Sequence, residues 1–166
     1  MKIREILPKD DNAIFKLIRT CLKDAALDIP GTAYFDESIK KMSQFYNCGD
    51  FCKTNNAARK YFVLVDENDI VAGGAGFAEF NGNKDVAELQ KLYIDQSFRG
   101  KGFSYQLVQL VEKEAKLAGY KQLYLETHHN LPVALHLYQK LGYKQIDSAL
   151  PGTQHSTMDY FFIKEL

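Results

Sequence analysis

Apolar residues change their spacing several times along this chain, and each change marks an element. Lys2 to Leu7 reads as a strand that Pro8 ends. Ile14, Phe15, Leu17, Ile18, Cys21 and Leu22 then recur at three- and four-residue spacing. That stripe predicts a helix, with Asp10 and Asp11 as its caps. Ile29-Pro-Gly-Thr32 interrupts the pattern, and Asp36 is placed to cap a second helix running to about Tyr46. Residues 47–59 are polar and irregular and are expected to form a loop. Three strands follow at Tyr61 to Val65, Ile70 to Phe80 and Val86 to Ile94. Asp66-Glu-Asn-Asp69 and Asn81-Gly-Asn83 supply the turns between them. Gly73, Gly74 and Gly76 sit inside the central strand and predict a bend or a close approach by another group. From Gly102 to Ala118 the helical period returns, with Leu107, Val108, Leu110, Val111, Ala115 and Ala118 inward and Gly119 closing it. The remainder reads as a strand (Lys121 to Glu126), a short helix (Leu131 to Leu141) and two strands (Tyr143 to Asp147, Thr157 to Lys164). Antiparallel strands first and strand–helix–strand afterwards predict an α+β fold with a mixed sheet.

Composition narrows the setting. A length of 166 residues predicts one domain, residues 1–166, large enough to bury a substantial core. Lys plus Arg and Asp plus Glu are 21 each, so no overall field draws the chain to nucleic acid or to a membrane surface. No apolar run approaches the roughly 20 residues that cross a bilayer, and Met-Lys-Ile-Arg-Glu-Ile has no signal-peptide core. Cys21, Cys48 and Cys52 are odd in number and lack C-x-x-C spacing, so they read as reduced thiols of a cytoplasmic protein.

The chemistry concentrates at Glu88 to Ser104. An apolar strand there runs into a basic, glycine-rich step that opens a helix. Backbone N–H groups at such a step lack intrahelical acceptors and point outward with partial positive charge. Gly100 and Gly102 let an anion approach the main chain, and Arg99 and Lys101 add full charges. This suits a pyrophosphate. The step is not a Walker loop, since no Gly-Lys-Ser/Thr ends a four-residue spacer. It is not the dinucleotide fingerprint either, since residue 105 is Tyr.

The run Leu92-Tyr-Ile-Asp-Gln-Ser-Phe-Arg-Gly-Lys-Gly-Phe-Ser104 resembles motif A of the GNAT acetyltransferase superfamily, Arg/Gln-x-x-Gly-x-Gly/Ala. Arg99 and Gly102 match it, and Ser104 stands where Gly or Ala is usual. Leu125 to Tyr143 resembles motif B, with Ala134, Leu137, Tyr138 and Gly142 at its Ala-x-x-Leu-Tyr-x-x-x-Gly positions. The resemblance spans residues 60–147. It implies the GNAT fold: helices on both faces of a mixed, mostly antiparallel sheet of six to seven strands with a V-shaped splay. It also implies acetyl-CoA as cosubstrate. Leu92, Tyr93 and Ile94 would offer the pantetheine amides a strand edge, and Arg99, Gly100, Lys101, Gly102, Phe103 and Ser104 would hold the pyrophosphate.

Transfer of acetyl to an amine needs a neutral amine, donors for the oxyanion and a proton for the leaving thiolate. The motif places Tyr138 to protonate the sulfur, although its apolar neighbours Leu131, Ala134, Leu135 and Leu141 also suit a core residue. Strand alternation puts Glu88 on one face with Gln90, Leu92 and Ile94, as either a general base or a solvent-facing residue. Glu126 is the second candidate. Asn130 stands four residues before Ala134, where many GNAT chains carry Asn three before; it contacts the cofactor or caps the helix. His128 and His129 lack metal-ligand spacing, so no metal is expected.

The resemblance implies an acceptor pocket built from about Ala25 to Phe35, Phe45 to Phe51 and Ala149 to Asp159. These segments carry Asp28, Tyr34, Phe35, Asp36, Asp50, His155 and Asp159, a mixture that suits an amine. Two rival readings are a non-catalytic acetyl-CoA sensor and an acyltransferase acting on charged transfer RNA; zero net charge opposes the second. Edge strands and Tyr160-Phe161-Phe162 either pair two copies into a homodimer or complete the core.

Overall fold

A computed structural model describes residues 1–47, 58–153 and 156–166. Cys48, Asp50, Phe51, Cys52 and His155, and most of the loop expected over 47–59, lie outside the described residues.

Tyr61-Phe-Val-Leu-Val65 is apolar without alternation, the mark of a strand covered on both faces. It forms β2 (Lys60–Val65) inside a seven-stranded sheet. Tyr61, Val63 and Val65 pack into one buried cluster and Phe62 and Leu64 into another. β1 (Lys2–Glu5), β2, β3 (Val71–Phe80) and β4 (Asn83–Ile94) pair antiparallel in turn. β5 (Gln122–Thr127) lies parallel to β4, and the antiparallel strands β7 (Tyr160–Glu165) and β6 (Lys144–Ile146) complete the order β1-β2-β3-β4-β5-β7-β6.

α1 (Asp11–Asp24) and α2 (Met42–Tyr46) cover one face through Ile14, Ile18, Leu22, Met42 and Tyr46. α3 (Phe103–Leu117) and α4 (Pro132–Lys140) cover the other through Leu107, Val108, Val111, Leu137 and Tyr138. The result is the expected α+β arrangement, a mixed and mostly antiparallel sheet between two helical layers. No described helix is long and apolar enough to cross a membrane.

Two local expectations change, and one open alternative narrows. The second helix is broken: Ala33–Phe35 and Glu37–Lys41 are short 3₁₀ turns, and only Met42–Tyr46 is α-helical. Asp36 makes no side-chain cap there. Asp10 does not cap α1 by its side chain either. It is buried and takes a two-pronged contact from Arg4 at 2.7 and 2.9 Å, as well as the Leu7 N–H at 2.8 Å. Asp11 instead accepts from the Ser43 N–H and hydroxyl, tying α1 to α2. Finally, β7 lies between β5 and β6 and Phe162 is fully buried, so this stretch completes the core and offers no strand edge.

Candidate active site

The site starts where β4 and β5 part. Their parallel pairing runs only from Val86 opposite Gln122 to Glu88 opposite Tyr124. Beyond Glu88, β4 continues to Ile94 alongside β3 alone, and its other edge faces a widening gap.

A bulge shapes that edge. Gln90 opposes Gly76 and Tyr93 opposes Gly74, so three steps along β4 match two along β3. Lys91 sits in the left-handed region at φ 53°, unusual for a residue with a Cβ. The Tyr61 hydroxyl donates to the Lys91 carbonyl at 2.8 Å. The Tyr61 ring lies over the central strand, 2.6 Å from where a Cβ on Gly74 or Gly76 would stand. The glycine run is therefore the seat of one buried tyrosine that holds the bulge.

The extra residue reverses the parity of the strand, which corrects the alternation expected for Glu88. Glu88 and Gln90 face the α1/α2 side: Gln90 Nε2 donates to Glu88 at 2.6 Å, and Gln90 Oε1 accepts from the Tyr46 hydroxyl at 2.7 Å. Leu92 and Ile94 turn to the α3 side, while Tyr93 packs with the α1 cluster.

A cleft of about 400 Å³ fills the gap. Its walls include Glu88, Leu92, Tyr93, Ile94, Arg99, Gly100, Gly102, Phe103, Ser104, Asn130 and Tyr138, which brings the predicted site residues together except Lys101. Gly100 and Gly102 adopt φ of 74° and 79°, and nothing lies within 4 Å of a Cβ built on either. Their role is conformational, and the surface above them is open. The first helical bond at this end runs from the Gln106 N–H to the Gly102 carbonyl, so the N–H groups of the turn before it are left for a ligand.

Both cations of this loop are exposed, and each also bonds a neighbouring carbonyl. Arg99 Nε donates to the Ile94 carbonyl at 2.9 Å, and an Nη lies 3.3 Å from Cys21 Sγ. Lys101 Nζ donates to the Ser97 carbonyl at 3.0 Å and sits over the Phe98 ring. Arg99 and the glycines Gly100 and Gly102 stand on the wall of the cleft, and Lys101 lies at its margin. Burial pushes the Cys21 thiol up against the opposing pull of Arg99, which keeps it protonated.

Tyr138 is buried on α4, with its ring against Tyr143 and Phe162. Burial alone holds its phenol well above the ordinary tyrosine value, so it stays a neutral donor. Its hydroxyl has no hydrogen-bond partner among the described residues and lines the cleft. Tyr93 is raised first by burial and then by Tyr138. Glu126 also lines the cleft but accepts from the Tyr124 hydroxyl at 2.8 Å and the Thr153 hydroxyl at 2.7 Å.

Asn130 does not cap α4; Leu131 is the cap position and no side chain serves it. Its Nδ2 instead donates to the Ala25 carbonyl at 2.9 Å, joining the β5–α4 loop to the end of α1. His128, His129 and Asp159 bring three donor atoms within 4.8 Å of one another. His128 Nδ1 accepts the Asn130 N–H, which leaves the ring proton on Nε2, and His129 pairs with Asp159. Those bonds account for the cluster as a tie between loops.

Residues 16–143, most of the chain, match the Acetyltransferase (GNAT) family. The chain belongs to that family. It is 31% identical to the uncharacterized N-acetyltransferase YjgM of Escherichia coli K12, across 99% of this chain and 94% of that one. An acetyltransferase of the GNAT family from Staphylococcus aureus Mu50 superposes with a TM-score of 0.82, 15% identity and coverage of 99% and 98%. The Thermoplasma acidophilum PaiA N-acetyltransferase, solved with coenzyme A, superposes with a TM-score of 0.74, 18% identity and the same coverage. This GNAT chain is an acyltransferase, and acetyl-CoA is its cosubstrate. The cleft fits that molecule: a glycine step with an open main chain, then an unpaired strand edge, then a buried phenol.

Tyr61, Gln90, Tyr46 and Cys21 escaped the reading of the sequence as contributors to the site. Only the glycine run in β3 signalled one of them, by predicting a close approach.

Proposed function

We propose that this GNAT enzyme moves acetyl from acetyl-CoA to a primary amine by direct attack in a ternary complex. The observation that carries the proposal is Tyr138 itself, a buried residue on the wall of the splayed cleft whose phenol burial keeps protonated. The backbone N–H groups around Gly100 to Ser104 bind the pyrophosphate. The open edge of Leu92 to Ile94 takes the pantetheine amides. Glu88, held by Gln90, removes a proton from the incoming ammonium. As the new C–N bond forms and the C–S bond breaks, Tyr138 gives its proton to the sulfur. Its raised pKa means that the phenol enters this step protonated.

The test is release of free coenzyme A thiol with a panel of amines. Amine-dependent release that collapses in Tyr138→Phe while acetyl-CoA still stabilises the protein supports the assignment. Equal rates in the two proteins remove Tyr138 from the chemistry.

A further inference from the structure

Glu88 and Gln90 share one face of β4, two residues apart and ahead of the bulge. Tyr46, the last residue of α2, reaches over them from the helical layer. Its ring lies 5.2 Å from that of Tyr61, the residue that fixes the bulge, and both are buried. A hydrogen-bonded line runs outward from this pair. The Tyr46 hydroxyl donates to Gln90 Oε1 at 2.7 Å, and Gln90 Nε2 donates to Glu88 Oε2 at 2.6 Å. Glu88 ends the line on the wall of the acetyl-CoA cleft.

A side-chain amide has an acceptor at one end and a donor at the other, in nearly the same shape. Turned round, Gln90 would set its oxygen against Glu88. Two oxygens can share that contact only if the carboxyl group keeps a proton. Tyr46 decides between the two arrangements. Burial, and after it the charge of Glu88, hold its phenol well above the ordinary tyrosine value, so it keeps a proton to donate. Among the described residues Gln90 is the acceptor it has, and reversing the amide would leave a buried donor unmet.

The surroundings make that choice matter. Asp24 and Glu126 line the cleft with Glu88, and Asp36, Glu37 and Glu79 line the recess on its other side. These carboxylates all oppose a charge on Glu88. Against them stand Lys91, which borders both spaces, Arg99 in the cleft, and Arg59, whose charge bears on Tyr46. Cys21, Tyr93 and Tyr138 in the cleft are held neutral by burial, and Tyr124, opposite Glu88 on β5, donates to Glu126. A donor fixed toward Glu88 therefore favours the charged form where most neighbouring charges do not. We infer that Tyr46 and Gln90 are positioning residues for Glu88: the Tyr46 hydroxyl sets which end of the Gln90 amide meets the carboxyl group, and so keeps it ionised and ready to accept a proton. The inference rests on the reading of Glu88 as the base proposed above.

Carbon-13 NMR of the full chain, labelled at the glutamate carboxyl carbons, tests this in the free protein and needs no acceptor. Glu88 is assigned as the signal lost in Glu88→Gln, and its titration midpoint is then followed in the variants. A carboxylate that loses a fixed donor holds its proton to higher pH. Tyr46→Phe is therefore expected to raise the midpoint by up to about one pH unit. Gln90→Met keeps the length of the side chain, removes both ends of the amide, and is expected to raise it at least as far. The double variant is expected to match Gln90→Met alone, because Tyr46 acts through Gln90. An unchanged midpoint in Tyr46→Phe overturns the inference, since Phe keeps the ring on Tyr61 and a packing role alone moves nothing. A double variant that adds the full Tyr46→Phe shift to that of Gln90→Met overturns it too. If Tyr46→Phe does not fold, Gln90→Met carries the test, and an unchanged midpoint there is equally fatal. Full amine-dependent thiol release in Glu88→Gln is a separate failure: it removes the base, and with it the catalytic meaning of the coupling.

Discussion

The two ends of the cleft solve the same problem, holding an unusual backbone in place, by opposite means. At the pyrophosphate end, Gly100 and Gly102 take left-handed conformations with open space around them. Nothing packs against the turn, and the residues themselves permit it. At the strand end, Lys91 takes a left-handed conformation despite its side chain, and the surroundings impose it. Tyr61 holds its carbonyl, and the glycines on β3 make room for Tyr61. One end is a local property of three residues. The other is a tertiary property of three strands.

The largest effect should come from where the two ends meet. Tyr138→Phe keeps the ring and its packing and removes the proton, and general acid catalysis is worth about 10²- to 10⁴-fold. A fall of that size in kcat is expected, with little change in the dissociation constant for acetyl-CoA. The raised phenol also gives a pH test. Its protonated form is the active one, so activity from this group is kept below its pKa and lost only as pH rises through it. The basic limb it causes should therefore lie above the ordinary tyrosine value of about 10. A limb at or below that value would mean that another group controls it.

Next come paired glycine substitutions that separate imposed from permitted conformations. In Gly76→Ala the new Cβ meets the Lys60 carbonyl at 2.5 Å and the Tyr61 ring at 2.6 Å. Overpacking of this kind costs about 1–3 kcal/mol, and the backbone contact puts this site near the upper end. Urea unfolding should show it. In Gly102→Ala the Cβ meets nothing, so only the left-handed strain of about 1–2 kcal/mol remains. Gly102→Asn should recover part of it, because Asn visits that region more readily. The same change should raise the KM for acetyl-CoA, since the turn carries the anion-facing N–H groups. If Gly76→Ala proved the milder of the two, the difference drawn between the ends would fail.

That difference also explains what the sequence made readable. Arg99-Gly-Lys-Gly102 announces its backbone through its own residue types, so the turn was legible from the chain alone. Lys91 carries no such mark. The strand Val86 to Ile94 reads as continuous, and alternation counted through it puts Glu88, Gln90, Leu92 and Ile94 on one face. The bulge splits them, because a one-residue insertion exchanges the faces of everything beyond it. Arg99 shows the converse. Its place in the loop was readable, but its bonds to the Ile94 carbonyl and Cys21 Sγ were not. Asp10 likewise looks like a cap until Arg4, on a neighbouring strand, takes both its oxygens.

The smallest effect is also the sharpest test of the imposed end. Tyr61→Phe keeps the ring over Gly74 and Gly76 and removes only the hydroxyl that reaches Lys91. A single hydrogen bond of this kind contributes about 1 kcal/mol net, so the protein should remain folded with a modest loss of stability. The consequence should be local. Amide exchange across Gln90 to Tyr93 should quicken, since the bulge loses its fastening, while exchange in α3 and its glycine turn stays as it was. kcat should fall by a few-fold as Glu88 and Gln90 lose their fixed direction. Gly102→Ala should produce the reverse map, with quickened exchange at the turn and none in β4. Matching maps from the two variants would show that the ends of the cleft are one cooperative unit, not two separately held ones.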